Sequence, residues 1–232
     1  MNKLLRLKSS LEIKNQSNKS LKLNIYGYIG YWDTSAERIL RQIEDSKAEK
    51  IHVHINSGGG SAFDGIAISN ILKNHKAEVI VHVDGWAASA ASIICMGADK
   101  VIMPSNTMMM VHQASTYGYG NADDFEKVAK DLRKIDKAVT ASYKHRFVGE
   151  EDELTKLLKD ETWLTADEAV SLGFADEISD EIDFEEPIES EEDEPENIKE
   201  DLVAKYSKKQ QQNKPEQEPQ QSAAAQRRGF FF

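Results

Sequence analysis

Residues 21–29, LKLNIYGYI, alternate apolar and polar side chains, and TSAERILRQI (34–43) then sets an N-cap candidate ahead of apolar residues at helical spacing. IHVHIN (51–56) returns to a β pattern. This β-α-β opening decides the class. Outward from it, residues 62–75 repeat the helical period through Phe63, Ile66, Ile71 and Leu72, EVIVHVD (78–84) reads as a strand, and AASAASIICMGA (87–98) as a buried helix of small and apolar residues. Two short strand patterns follow, around KVIM (100–103) and MMMVHQ (108–113). The alternation predicts an α/β fold with mainly parallel strands buried by helices.

A longer helix is expected from Ala122 to Phe147, where Phe125, Val128, Leu132, Ile135, Val139 and Tyr143 recur at intervals of three and four. Such a stripe needs a partner surface, in its own domain or on another subunit. TADE (165–168) forms a capping box for a short helix that Gly173 can close.

Of the 232 residues 40% are hydrophobic and 30% charged, enough for one sizeable core and a polar remainder. The net charge of −11 is localised: Asp176–Asp201 holds fifteen Asp and Glu against Lys199 alone, whereas residues 1–175 carry 22 basic and 23 acidic side chains. With no basic stripe, nucleic-acid binding has little support. The division expected is an N-terminal segment (1–20), a folded domain (21–181), and an acidic, Gln-rich tail (182–232) too polar to offset its ordering entropy. A single cysteine excludes an internal disulfide, and no apolar stretch has signal-peptide or membrane-spanning length, so a soluble cytoplasmic protein is expected. No Cys/His grouping has zinc-ligand spacing, and no organic cofactor motif stands out. His52 and His54 share a strand face without further ligands at suitable spacing, while His75, His82 and His145 stand among unrelated patterns.

Three glycines in Asn56-Ser57-Gly58-Gly59-Gly60-Ser61 follow a strand and precede a helix, where a sharp turn exposes backbone amides. The Walker ending and a GxGxxG are both absent, so an anion site and a plain turn stay open. In DGWAASAAS (84–92), Ser89 sits among alanines at a second strand-to-helix junction, placed either as a helix cap or as a nucleophile beside exposed amides. His112 closes the apolar run MMMVHQ and reads equally as a structural residue or a base. Cys95, six residues beyond Ser89 on the same expected helix, faces away among Ile93, Ile94 and Met96 and reads as an inert buried thiol.

Together, INSGGGSAFDGIAI, DGWAASAAS, MPSNTMMMVHQ and ETWLTADEAVSLGFADEI, in this order, resemble successive signature blocks of the Clp protease family, over about residues 21–179. Their wording is similar to the phage and prophage branch of head maturation proteases. The resemblance implies a ClpP/crotonase-like repeated β-β-α superhelix with a protruding handle helix (Ala122–Phe147) that interlocks two rings. It implies Ser89 as nucleophile, His112 as general base, and the backbone amides of Gly60 and Ala90 as the oxyanion hole. The family's acid, an aspartate, is matched here by Glu161, with Asp160 one residue earlier as the alternative. The implied activity is a ring-forming serine endopeptidase needing no metal or cofactor, with or without an AAA+ unfoldase. Phage capsid, scaffold or portal proteins are its implied substrates in the host cytoplasm. A crotonase-type acyl-CoA enzyme would not need Ser89 and His112 together. A non-catalytic assembly factor would use the acidic tail and terminal GFFF (229–232) to bind a basic or apolar partner.

Overall fold

The computed structural model describes residues 13–17, 20–44, 46–179, 200 and 203–207. In chain order the elements are β1 (Ile13–Ser17), β2 (Ser20–Ile29), α1 (Ala36–Ile43), β3 (Lys50–Gly60), α2 (Ala62–Lys73), β4 (Glu78–Ala88) and α3 (Ala90–Cys95). They continue with β5 (Lys100–Met103), β6 (Met108–Val111), α4 (Ala122–Lys144), α5 (Glu151–Lys159), β7 (Thr162–Thr165), α6 (Ala166–Ser171) and β8 (Glu177–Ile178). The α/β class holds. The sheet runs β1-β2-β3-β4-β5-β8 with β6 bridging β4 and β7, and all pairs are parallel except β1 with β2 and β6 with β7.

Period-two alternation gives this sheet two different faces. Leu21, Leu23, Ile25, Ile51, Val53, Ile55, Val79, Val81 and Val83 are buried in the core with Ile39 and Ile43 of α1 and Ile68 and Leu72 of α2. The intervening Lys22, Asn24, Tyr26, His52, His54 and His82 are only half-buried, with Asp84 exposed beside them. Parallel strands were expected to lie under helices; here helices cover one face and polar side chains occupy the other. The alternation in IHVHIN already carried that distinction.

β3 and β4 run longer than their hydrophobic patterns suggested, because each continues through an irregularity into a second pairing. Ile80–His82 of β4 pair with β5, whereas Trp86–Ala88 pair with Met108–Met110 of β6. β3 likewise shifts register between Ile55 and Ser57 and continues through all three glycines. The expected glycine turn is therefore extended strand. The buried helix expected over 87–98 shortens to α3, since Ala87 and Ala88 belong to β4. A Cβ on Gly65 of α2 would come within 2.8 Å of Ala90 O, so that glycine lets α2 press against the start of α3.

An Asn121/Asp124 capping box opens α4, which ends at Lys144 rather than Phe147. Burial rises along its stripe: Phe125 is exposed, Val128, Leu132 and Ile135 are half-buried, and Val139 and Tyr143 are fully buried in this chain's own core. Thr165 and Glu168 form the expected capping box, and Gly173 adopts φ +83° just beyond α6. Beyond the folded domain, the helical turn 203–207 returns to the body and buries Tyr206 against Phe147. The tail was expected to lack order, and these five residues depart from that because a tyrosine finds an aromatic neighbour and a carboxylate there. Terminal GFFF lies outside the described residues, as does most of the acidic stretch.

Candidate active site

β4 delivers Ser89 to the start of α3 in an unusual conformation, φ 57° and ψ −124°. A β-carbon there costs roughly 1–3 kcal/mol, so the surrounding structure must impose it. The Ser89 amide donates to Met110 O at 2.9 Å, pinning the junction to β6. Its side chain makes no capping hydrogen bond, which removes the helix-cap reading. Ser92, one helical turn on, has its Oγ 2.7 Å from Ser89 O, 2.8 Å from Met110 O and 2.8 Å from the Tyr143 hydroxyl. A carbonyl only accepts, so the single Ser92 proton goes to the carbonyls and Tyr143 donates to Ser92. Burial pushes the Tyr143 phenol well above its ordinary pKa and keeps that proton in place.

Because β4 and β6 are parallel with Ala88 opposite Met110, the residues just past their ends converge. His112 Nε2 lies 2.7 Å from Ser89 Oγ, within the range for direct proton transfer, and both residues are half-buried. The end of β3 faces the same point. Gly59 has φ +94°, and a Cβ on it would fall 2.7 Å from both Ala88 O and Ser89 Cβ and 2.9 Å from Ala90 N. Only glycine fits. Ser57, buried beneath, holds this strand by donating to Gly27 O at 2.6 Å and accepting from Gly59 N at 3.1 Å. Gly60, φ +152°, and Ala90 lie on the two backbones that meet here. A groove of about 420 Å³ opens over Gly60, Ser89 and His112, walled by Tyr28, Phe63 and Ile135.

The acids are placed less directly. β7 runs antiparallel to β6 as far as Val111 opposite Thr162; beyond that pair Gln113 N donates to Leu158 O at 3.0 Å, and Asp160 and Glu161 lie in the turn that joins α5 to β7. Both carboxylates are exposed, and neither makes a side-chain hydrogen bond to His112 among the described residues. Glu161 itself has φ +51°, immediately after α5, a helix the sequence reading did not anticipate.

Cys95 is fully buried, and loss of solvation raises its thiol to about 12, as an inert core residue requires. His82, which looked isolated, stands between His52 and His54: its Nε2 is 3.0 Å from His52 Nδ1, and its ring stacks on His54 at 4.7 Å. Parallel pairing of β3 with β4 sets His82 beside His54, a register invisible along the chain. Among the described residues no group of three His, Cys, Asp or Glu is arranged to hold a metal ion. No described helix is long and apolar enough to cross a membrane.

Sequence reading missed Ser57, Gly59, Ser92 and Tyr143. The glycine run held Ser57 and Gly59, the helical stripe held Tyr143, and the three-residue step from Ser89 to Ser92 puts both serines on neighbouring turns, but none of these signals assigned a role at the site.

Residues 10–182 match the protein family described as Clp protease. The chain is 32% identical over 139 residues to the ATP-dependent Clp protease proteolytic subunit of Deinococcus radiodurans, covering 57% of this chain and 66% of that protein. It is 33% identical over 151 residues to proteolytic subunit 2 of Treponema denticola, covering 62% and 75%. With proteolytic subunit 3 of Rhizobium meliloti it shares 29% over 166 residues, covering 69% and 84%.

Proposed function

This chain belongs to the Clp protease family, and from that premise we propose that it is a serine endopeptidase in which Ser89 attacks the peptide carbonyl and His112 takes the serine's proton. The observation that carries this reading is the 2.7 Å contact between Ser89 Oγ and His112 Nε2 at the floor of an open groove. Attack forms a C–O bond and moves the carbonyl π electrons onto oxygen. The Gly60 and Ala90 amides would receive that charge, and the close approach of β3 to α3 at Gly59 supports the assignment. Collapse expels the amine, which leaves with the proton held by His112. Water then repeats the sequence on the acyl-enzyme.

Glu161 is the preferred third member, with Asp160 as the alternative, because Glu161 stands where the family has its aspartate; the pairing of Val111 with Thr162, the residues next to His112 and Glu161, supports the choice. An acyl-CoA reaction of the crotonase type would leave the Ser89–His112 contact without a purpose.

Assembly into rings through α4, and service to an AAA+ unfoldase, extend the same proposal. The exposed Phe125 end of α4 supports a subunit contact, and "ATP-dependent" in the relatives' names supports an unfoldase. The chain spans 66% of the first of those relatives, so their whole assembly carries over only as a proposal. For substrates we propose capsid, scaffold or portal proteins of a phage particle, on the wording of DGWAASAAS, MMMVHQ and ETWLTADEA.

The test is labelling with a fluorophosphonate serine probe, locating the adduct by peptide mass spectrometry, then repeating with Ser89→Ala and His112→Ala. An adduct on Ser89 that both substitutions abolish is expected. Labelling elsewhere in a folded, assembled protein would overturn the assignment.

A further inference from the structure

Between Phe184 and Phe230 the chain has one aromatic residue, Tyr206, in a stretch dominated by Glu, Gln and Lys. It is nevertheless 4% exposed. Its ring meets Phe147 edge-on at 6.4 Å, and Phe147 in turn stacks on Phe174 at 5.5 Å. Val203, one helical turn earlier, packs against the same cluster. A buried tyrosine needs a partner for its hydroxyl. Here it donates to Glu153 Oε2 at 2.6 Å.

Glu153 is well suited to that task because α5 holds it in place. It is the third residue of the helix, and the same oxygen accepts from Glu150 N at 2.8 Å as half of a capping box. Its other oxygen pairs with the Lys205 ammonium, which also lies 4.7 Å above the Tyr206 ring. Partial burial alone would raise this carboxyl, but the Lys205 and Tyr206 hydrogen bonds outweigh it and hold it at about 2. Ser207 completes the contact, donating to Ser171 Oγ of α6 at 2.8 Å. Three successive side chains thus engage three different parts of the folded body: α5, the aromatic cluster below α4, and α6.

We propose that Lys205-Tyr206-Ser207 is a docking motif for a socket made by Phe147, Glu153 and Ser171 of the same subunit, which fastens the tail to the base of α4. The socket reads an aromatic hydroxyl flanked by a cation, so its occupant is a short Lys-Tyr peptide. The chain supplies that peptide itself. At the other end of the acidic stretch Ser179 N donates to Met103 O at 3.2 Å, so Ser179 and Lys205 are both fixed on one body. Residues 203–207 then belong to the folded unit.

Paired Ser171→Cys and Ser207→Cys substitutions test this directly in the full chain. The two oxygens are 2.8 Å apart, and the native Cys95 is buried, so mild oxidation has one productive pair. A monomeric, faster-migrating band without reductant, with the linked peptides found by mass spectrometry, is expected. Adding Tyr206→Ala should slow its formation about tenfold or more, since losing one buried contact of about 1.4 kcal/mol suffices. If Tyr206→Ala prevents folding, Glu153→Gln with the same cysteine pair gives the comparison, again with slower closure expected. A disulfide-linked dimer would overturn the same-subunit assignment in favour of docking onto a second copy. Closure no faster than either single-cysteine chain reacts with added thiol would overturn docking altogether, as would closure unaffected by either substitution.

Discussion

Tyr143 and Ser92 meet through their hydroxyls, 2.8 Å apart, with both side chains fully buried. Ser92 in turn bonds the carbonyls of Ser89 and Met110, so this pair ties α4 to the nucleophile junction and to the strand that carries His112. Tyr143→Phe leaves the ring packing intact and removes one hydrogen bond. The expected result is a stability loss of about 1 kcal/mol by denaturant titration. A fall in kcat with KM nearly unchanged should accompany it, because the bond positions the attacking group and touches no substrate. A change in KM alone would count against that role.

Glu161→Gln and Asp160→Asn separate the two acids. With Glu161 as the third member, the first is expected to reduce kcat/KM at least about tenfold more than the second, through loss of the charge that steadies the imidazolium. The comparison needs a peptide substrate and assembled protein. Equal effects, or the reverse order, would remove Glu161 from the site.

Gly59→Ala is expected to abolish probe labelling of Ser89 by a route different from removing a catalytic group. The added carbon must adopt φ +94° and lies 2.7 Å from backbone and side-chain atoms of the nucleophile junction. Gly118→Ala, with only a 3.5 Å contact to a Phe125 ring carbon, is the control that should retain labelling. Loss in both would show that the assay reports general damage.

The polar face of the sheet predicts a pH response. His82 is lowered to about 4, first by loss of solvation and then by His54 and His52, with Asp84 opposing and Lys22 reinforcing. His52 is lowered as well, again chiefly by burial, with Lys50 adding to the effect and Glu78 opposing it. From an ordinary 6.5 down to about 4, the unfolded chain therefore binds more protons than the folded one, so stability falls as pH drops through that window. Urea midpoints between pH 7 and 4 should decline less steeply for His82→Gln than for the unaltered protein. Parallel slopes would rule His82 out as a contributor.

Tail truncations should not be equivalent. Ending the chain after Glu181 removes the residues that bond Glu153 and Ser171, whereas ending it after Ser207 keeps them. A lower unfolding temperature is expected for the shorter chain alone. Equal melting curves would make Tyr206 a bystander.

Much of this was written along the chain. Period-two runs at 21–29, 51–56 and 78–84 determined the strands, and in IHVHIN they also determined which face is polar. The ordered blocks around Gly60, Ser89 and His112 determined the family and the candidate nucleophile and base. Those features are local: a strand's alternation or a short motif needs no knowledge of what packs against it. Tertiary structure alone decided the rest. Whether Ser89 caps its helix or meets His112 depends on a parallel register between β4 and β6, and whether His82 is isolated depends on its pairing beside His54. Ser92 and Tyr143 are 51 positions apart, and Glu153 and Tyr206 are 53 apart. No periodicity links residues at such separations. Only the folded sheet and the helices packed on it bring them within the 3 Å that a hydrogen bond demands.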